Sequence, residues 1–134
     1  VVPETDSASS VEGGKEHILY VDDEEALSEI FSEQLMDLGY NVTVFNESYR
    51  ALEAFKLDPA LFDLVITDQT MPGLTGVELA HELHEIKKST PIILCTGYSK
   101  LIDEDTALSL GIKSFLMKPF RTNQLAEAIR RALS

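Results

Sequence analysis

Leu64-Val65-Ile66-Thr67-Asp68, followed by Gln69-Thr70-Met71-Pro72-Gly73, is the stretch that decides the fold. The apolar run has the length of a strand, and the Met-Pro-Gly turn behind it leaves the Asp68 carboxylate at a strand tip. The run shows no polar alternation, so it suits a parallel sheet covered on both faces. Taken alone, Asp68 also reads as a turn-forming Asx residue.

Four further strand candidates flank it: His17–Asp22, Val42–Phe45, Pro91–Thr96 and Ser114–Met117. Helical stripes lie between and after them: Leu27, Ile30, Phe31, Leu35 and Leu38; Ala51, Leu52 and Phe55; Leu79, Ala80, Leu83 and Ile86; Leu125, Ala128, Ile129 and Ala132. Each repeats at three and four residues, as a core-facing helix does. Ser48 or Glu47 opens the second helix and Thr75 the third, while Gly39 and Gly111 fall where helix C-caps are expected. Asp103, Glu104 and Asp105 interrupt the pattern of Ser99–Leu110, which reads as a more weakly anchored helix. Alternating β and α elements imply a doubly wound α/β fold, with five parallel strands, right-handed crossovers and helices on both faces.

A chain of 134 residues, 44% hydrophobic, suits one domain with a real core. Residues 1–16 are small, polar and acidic and read as a flexible linker or tail before a domain spanning 17–134. The first residue is not Met, so a piece of a longer polypeptide is expected. A net charge of -12 argues against direct nucleic-acid contact and against anionic membranes. No apolar run is long enough to span a bilayer, and no signal peptide is legible, so a cytoplasmic location is expected. The single cysteine, Cys95, sits inside Ile92-Ile93-Leu94-Cys95 and reads as a buried core thiol.

If the strands are parallel, their carboxyl ends bring Asp22, Asp23, Asp68, Thr96 and Lys118 to one sheet edge, where open α/β folds bind ligands. Three clustered carboxylates repel and raise one another's pKa, a cost that a bound cation removes. Mg2+ prefers oxygen ligands and combines one or two carboxylates with phosphate oxygens and waters. Asp23 and Asp68 can bind it directly, with Asp22 holding a ligand water; a helix N-cap is the plainer account of the adjacent acids. Lys118 supplies a compact positive charge and Thr96 a hydroxyl donor for a phosphoryl group. Pro119 follows Lys118, and X-Pro is the bond type in which a cis peptide is cheap; a cis bond would swing the lysine toward the pocket.

ILYVDDEE (18–25), LVITDQTMPGLTG (64–76), PIILCTGYSK (91–100) and SFLMKPF (114–120) occur in that order, and together they resemble the receiver domain of two-component response regulators over residues 17–133. The resemblance implies a flavodoxin-like (βα)5 fold with strand order 2-1-3-4-5. It implies Asp68 as phosphoacceptor, and Asp22, Asp23 and the backbone carbonyl of Thr70 as further Mg2+ ligands, with Mn2+ as an alternative ion. Thr96 and Lys118 would contact the phosphoryl group, and Thr96 with Phe115 would form the switch. Thr70 and Tyr98 would set the lifetime of the phosphorylated state, and Gly97 would leave an approach open for a partner histidine. The implied partner is a histidine kinase or histidine phosphotransfer protein, with homodimerisation a further option. The acidic tail and the style of ILYVDDEE and ILCTGYSK resemble the C-terminal receiver of a hybrid histidine kinase; a stand-alone regulator is the alternative. Thr75-Gly76 departs from the Asp or Asn that the family commonly carries before this glycine, but Thr can still cap the helix.

Other signals point elsewhere and are weaker. His81 and His84 fall one residue short of the HExxH spacing and read as exposed histidines on a charged face. Asn41-Val42-Thr43 and Asn46-Glu47-Ser48 match glycosylation sequons without a secretory signal. Gly13-Gly14 comes before the first strand, so it forms no phosphate loop. A phosphatase resembling the haloacid dehalogenase family also combines an Asp nucleophile, Mg2+, Thr or Ser and Lys. There the nucleophile ends the first strand and a second Asp follows two residues on; here that position is Thr70.

Overall fold

A computed structural model describes residues 12–97 and 111–134. In chain order the elements are β1 (His17–Val21), α1 (Glu25–Asp37), β2 (Asn41–Phe45), α2 (Ser48–Leu57), a 3-10 turn (Pro59–Leu61), β3 (Leu64–Asp68), α3 (Gly76–Ile86), β4 (Ile92–Thr96), β5 (Ser114–Met117) and α4 (Thr122–Leu133). The five strands form one parallel sheet in the order β2-β1-β3-β4-β5. Doubly wound topology and strand order are as the sequence and the resemblance imply. The Ser99–Leu110 helix lies outside the described residues, as does Tyr98.

Strand bounds differ from the sequence reading at three ends. β1 stops at Val21, one residue before Asp22; β2 begins one earlier, at Asn41; β4 begins at Ile92 rather than Pro91. Pro91 has no N–H to give the ladder, although its carbonyl accepts from the Val65 amide at 3.0 Å.

Side-chain alternation divides the core in two. Leu19, Val21, Val65, Ile92 and Leu94 face α2 and α3, where Leu52, Phe55, Leu79 and Leu83 meet them. Ile18, Tyr20, Ile66, Ile93 and Cys95 face the other way, against Phe31 and Leu35 of α1 and Leu125 and Ile129 of α4. β1, β3 and β4 are buried almost throughout, whereas the edge strands β2 and β5 are half-buried, as their place in the order requires.

The inward stripe of α1 departs from the sequence reading. Ile30 is 52% exposed and Leu27 and Leu38 are half-buried, while Ser28 and Ser32 turn inward beside Phe31 and Leu35. Burial is tolerable because each serine hydroxyl donates to a carbonyl three residues earlier, Ser28 to Glu25 and Ser32 to Glu29. The other stripes hold, except that Ile86 at the end of α3 is partly exposed. Gly39, with φ of +105°, ends α1 as expected. Glu47 is the N-cap of α2 but makes no side-chain cap bond, and Thr75 caps α3 through a reciprocal pair with Glu78.

Residues 13–16, which the sequence groups with the tail, are held against the domain. The Gly14 amide donates to the Leu38 carbonyl and Glu16 pairs with Arg130 at 3.0 Å. Cys95 is buried as expected, and burial pushes its thiol well above the ordinary range. The native protein is therefore expected to resist alkylation by iodoacetamide while the urea-unfolded protein reacts fully; fast labelling of the folded form would contradict this packing.

Candidate functional site

The parallel register places the strand ends level. Val21 lies opposite Thr67, Asp68 opposite Cys95, and Thr96 opposite Met117. One step beyond, Asp22 follows β1 beside the end of β3, and Lys118 follows β5 beside Thr96. The sheet thus gathers at one edge the residues that the sequence places at strand ends.

Asp22 and Asp68 are almost fully buried, at 1% and 7% exposure, and Asp23 is exposed. One carboxylate oxygen from each of the three lies within 4.8 Å of the others. Lys118 reaches into this group from the end of β5. Its Nζ lies 3.0 Å from Asp68 Oδ1, 3.2 Å from Asp22 Oδ2 and 3.3 Å from Glu24 Oε1. The Lys118–Pro119 bond is cis. Asp22 is not the helix cap: Glu24 holds that position, and Asp22 Oδ1 accepts the Glu24 amide at 2.9 Å. The Asp68 carboxylate makes no turn-forming bond among the described residues, so the Asx account of it does not hold.

Burial pushes the carboxyls of both Asp22 and Asp68 above the ordinary aspartate range, and Lys118 offsets part of this. At Asp68 the charges of Asp22 and Asp23 push the same way as burial. Burial alone would lower the Lys118 pKa, but the hydrogen bond to Asp68 and the attraction of Asp22 and Asp68 outweigh it and hold the ammonium charged. One ammonium thus faces Asp22, Glu24 and Asp68, with Asp23 grouped beside two of them, an imbalance that suits an added divalent cation. The all-oxygen donor set fits Mg2+.

Thr70 is exposed in the loop between β3 and α3, Thr96 is buried at the end of β4, and Phe115 is half-buried in β5. Thr96 and Leu94 share one face of β4, and Leu94 is the register partner of Phe115, so Thr96 and Phe115 lie on the same face of the sheet. A side chain added at Gly97 would meet nothing within 4 Å among the described residues. Gly76 is the reverse case: a Cβ there would fall 2.4 Å from the Asp68 carbonyl oxygen, so glycine lets α3 start directly against the end of β3. Glu24, the third partner of Lys118, was not singled out by the sequence; its place directly after the acid pair is the only signal for it. The histidine reading needs correction: His84 is half-buried, with Nε2 2.9 Å from the Thr90 carbonyl, while His81 is exposed.

Three acids, a threonine and a lysine thus meet at the carboxyl edge of one parallel sheet. Residues 18–130 match the family model of the response regulator receiver domain, and the chain belongs to that family of two-component signalling domains. It is 34% identical over 119 residues to the uncharacterized transcriptional regulatory protein YkoG of Bacillus subtilis (strain 168), covering 89% of this chain and 51% of that one. The chain spans about half the length of the curated relatives it matches. Among solved structures it is similar to the response regulator TrrA of Thermotoga maritima in complex with Mg2+-BeF, with a TM-score of 0.78, 33% identity, and 88% of this chain and 99% of that one covered. It is also similar to the receiver domain of the hybrid histidine kinase CckA, with a TM-score of 0.75, 28% identity and coverage of 88% and 99%. No helix among the described residues is long and apolar enough to cross a membrane.

Proposed function

We propose that this domain accepts a phosphoryl group on Asp68 from a phosphohistidine of a histidine kinase or histidine phosphotransfer protein. The observation that carries this reading is the contact of Lys118 Nζ with both Asp68 and Asp22, beside three carboxylates within 4.8 Å of one another. In the reaction an Asp68 carboxylate oxygen attacks phosphorus, the N–P bond of the donor breaks, and the imidazole leaves with the bond's electron pair and takes up a proton. The product is an acyl phosphate on Asp68. Lys118 neutralises charge on the phosphoryl oxygens, and Thr96 donates its hydroxyl to the same group. Asp22, Asp23, Asp68 and the Thr70 carbonyl would hold Mg2+, which when bound supplies positive charge against the phosphoryl oxygens. Attack by water on phosphorus later breaks the O–P bond to Asp68, releasing inorganic phosphate and restoring the carboxylate, at a rate set by Thr70 and by Tyr98, which lies outside the described residues.

The switch in this reading is the inward movement of Thr96 toward the new charge, which opens space for Phe115 on the same face of the sheet. Phe lacks the hydroxyl of Tyr, so packing alone sets its position. The likeness to the CckA receiver supports a place within a hybrid histidine kinase, with a stand-alone regulator as the alternative.

Incubation with a phosphorylated histidine phosphotransfer protein and Mg2+ tests the proposal. One retained phosphoryl group per chain is expected; continuous turnover of small phosphoesters would favour a phosphatase instead. Asp23→Ala is expected to weaken Mg2+ binding at least about tenfold, or ~1.4 kcal/mol, by isothermal titration calorimetry. Unchanged affinity would remove Asp23 from the ligand set.

A further inference from the structure

The tripeptide Asn46-Glu47-Ser48, which runs from the end of β2 into the first residue of α2, supplies none of the pocket's acids, threonine or lysine yet touches both loops that build it. Asn46 Nδ2 donates to the Asp22 carbonyl at 2.7 Å and to Ser28 Oγ at 3.0 Å. Ser48 Oγ accepts from the Leu74 amide at 2.9 Å and donates to the Pro72 carbonyl at 3.2 Å. Ser48 is buried and Asn46 half-buried, so neither bond competes freely with water.

From these contacts we infer that Asn46 and Ser48 are positioning residues, which act as one strut to set the distance between the acid pair and the loop after Asp68. The inference rests on the Mg2+ and Asp68 roles proposed above. At the end of the β1–β2 ladder, Asp22 N still donates to the Phe45 carbonyl at 3.2 Å. The chain then turns into α2, and the Asn46 side chain takes up the Asp22 carbonyl. That carbonyl belongs to the planar peptide joining Asp22 to Asp23. Holding it fixes how the two acids are aimed relative to each other, which neither carboxylate can do for itself. The second bond, to Ser28, anchors the same point to the first turn of α1.

Two residues further on, Ser48 clamps the loop between β3 and α3 at Pro72 and Leu74. Thr70 lies in that loop, and Asp68 is at its root. Gly73 permits the approach, because its φ is +79° and a Cβ would lie 3.0 Å from Tyr49 Cε2 and 3.1 Å from Ser48 Oγ. Asn46 and Ser48 are joined through Glu47 and the start of one helix, so the two loops are referred to a single rigid element. Partners that hold ligands in place typically change metal affinity by about 10–100-fold when removed.

The test is Mg2+ affinity by calorimetry on Asn46→Ala, Ser48→Ala and Ser48→Thr, each with a melting curve in metal-free buffer. Asn41→Ala serves as control, since Asn41 makes the same kind of amide-to-carbonyl bond, to Lys15, at the opposite end of β2. About tenfold weaker Mg2+ binding is expected for Asn46→Ala and Ser48→Ala. Recovery is expected for Ser48→Thr, and unchanged affinity for Asn41→Ala. If Asn46→Ala does not fold, Asn46→Asp, of the same shape but without the amide donor, carries the comparison. Wild-type affinity in Asn46→Ala and Ser48→Ala, or equal loss in Asn41→Ala, would overturn the strut. Absence of Mg2+ binding by the wild-type protein would instead refute the site reading on which it rests.

Discussion

Asp68→Asn is expected to abolish Mg2+-dependent phosphoryl uptake while leaving the fold intact. An amide oxygen is a far weaker nucleophile than a carboxylate, and no acyl phosphate can form on it. The substitution keeps the size of the side chain and an oxygen that can accept from Lys118, so the core packing of β3 has no reason to change. Stability should move the other way from activity. A carboxyl whose pKa is raised in the folded state makes the fold more stable below its ordinary range, and that contribution is lost as pH rises through the raised value. At neutral pH the metal-free wild-type protein holds Asp68 at a cost that Asn removes. Melting in metal-free buffer at pH 7 should therefore show Asp68→Asn at least as stable as the wild type, with the difference shrinking toward acid. A sharply lower melting temperature would mean that the Lys118–Asp68 pair contributes more than the burial of the charge costs.

Lys118→Ala has the second largest expected effect. Removing a preorganised charge from a site of this kind typically slows the chemical step by about 10²–10³-fold. Here the loss reaches further, because the same ammonium lies within 3.3 Å of Asp22, Glu24 and Asp68. Stripping the cation from two buried carboxylates is expected to cost a few kcal/mol in metal-free buffer, at the lower end of the ~3–5 kcal/mol typical of broken buried pairs because the acids can take up protons. Mg2+ should restore part of that stability. Lys118→Arg should recover the stability better than the rate, since a planar fork does not replace a compact charge beside the phosphoryl group. Labelling of Lys118→Ala at the wild-type rate would exclude the lysine from the reaction.

The central strands were legible because their unbroken apolar runs allow only a sheet buried on both faces. The strand-end acids, threonine and lysine were legible for a related reason, since polar residues directly after such runs have one place to go. Hydropathy failed on α1, where Ile30 points out and Ser28 and Ser32 point in; their hydroxyls are satisfied by carbonyls within the same helix, a local solution that an apolar stripe does not reveal. Asn46-Glu47-Ser48 reads in the sequence as a chance sequon and a helix start, because its bonds reach 18 to 26 residues along the chain and leave no periodic trace. Helical spacing places His84 on an exposed face, but the Thr90 carbonyl that holds it lies beyond the end of that helix.

Phosphoacceptance by Asp68 is tested by locating the phosphoryl group. After phosphorylation from a phosphohistidine donor, borohydride reduction converts an aspartyl phosphate to homoserine, which peptide mass spectrometry assigns to a single residue. Homoserine is expected at position 68 and nowhere else. Homoserine at Asp22 or Asp23, or a phosphoryl group retained on His81 or His84 with Asp68 unmodified, would contradict it.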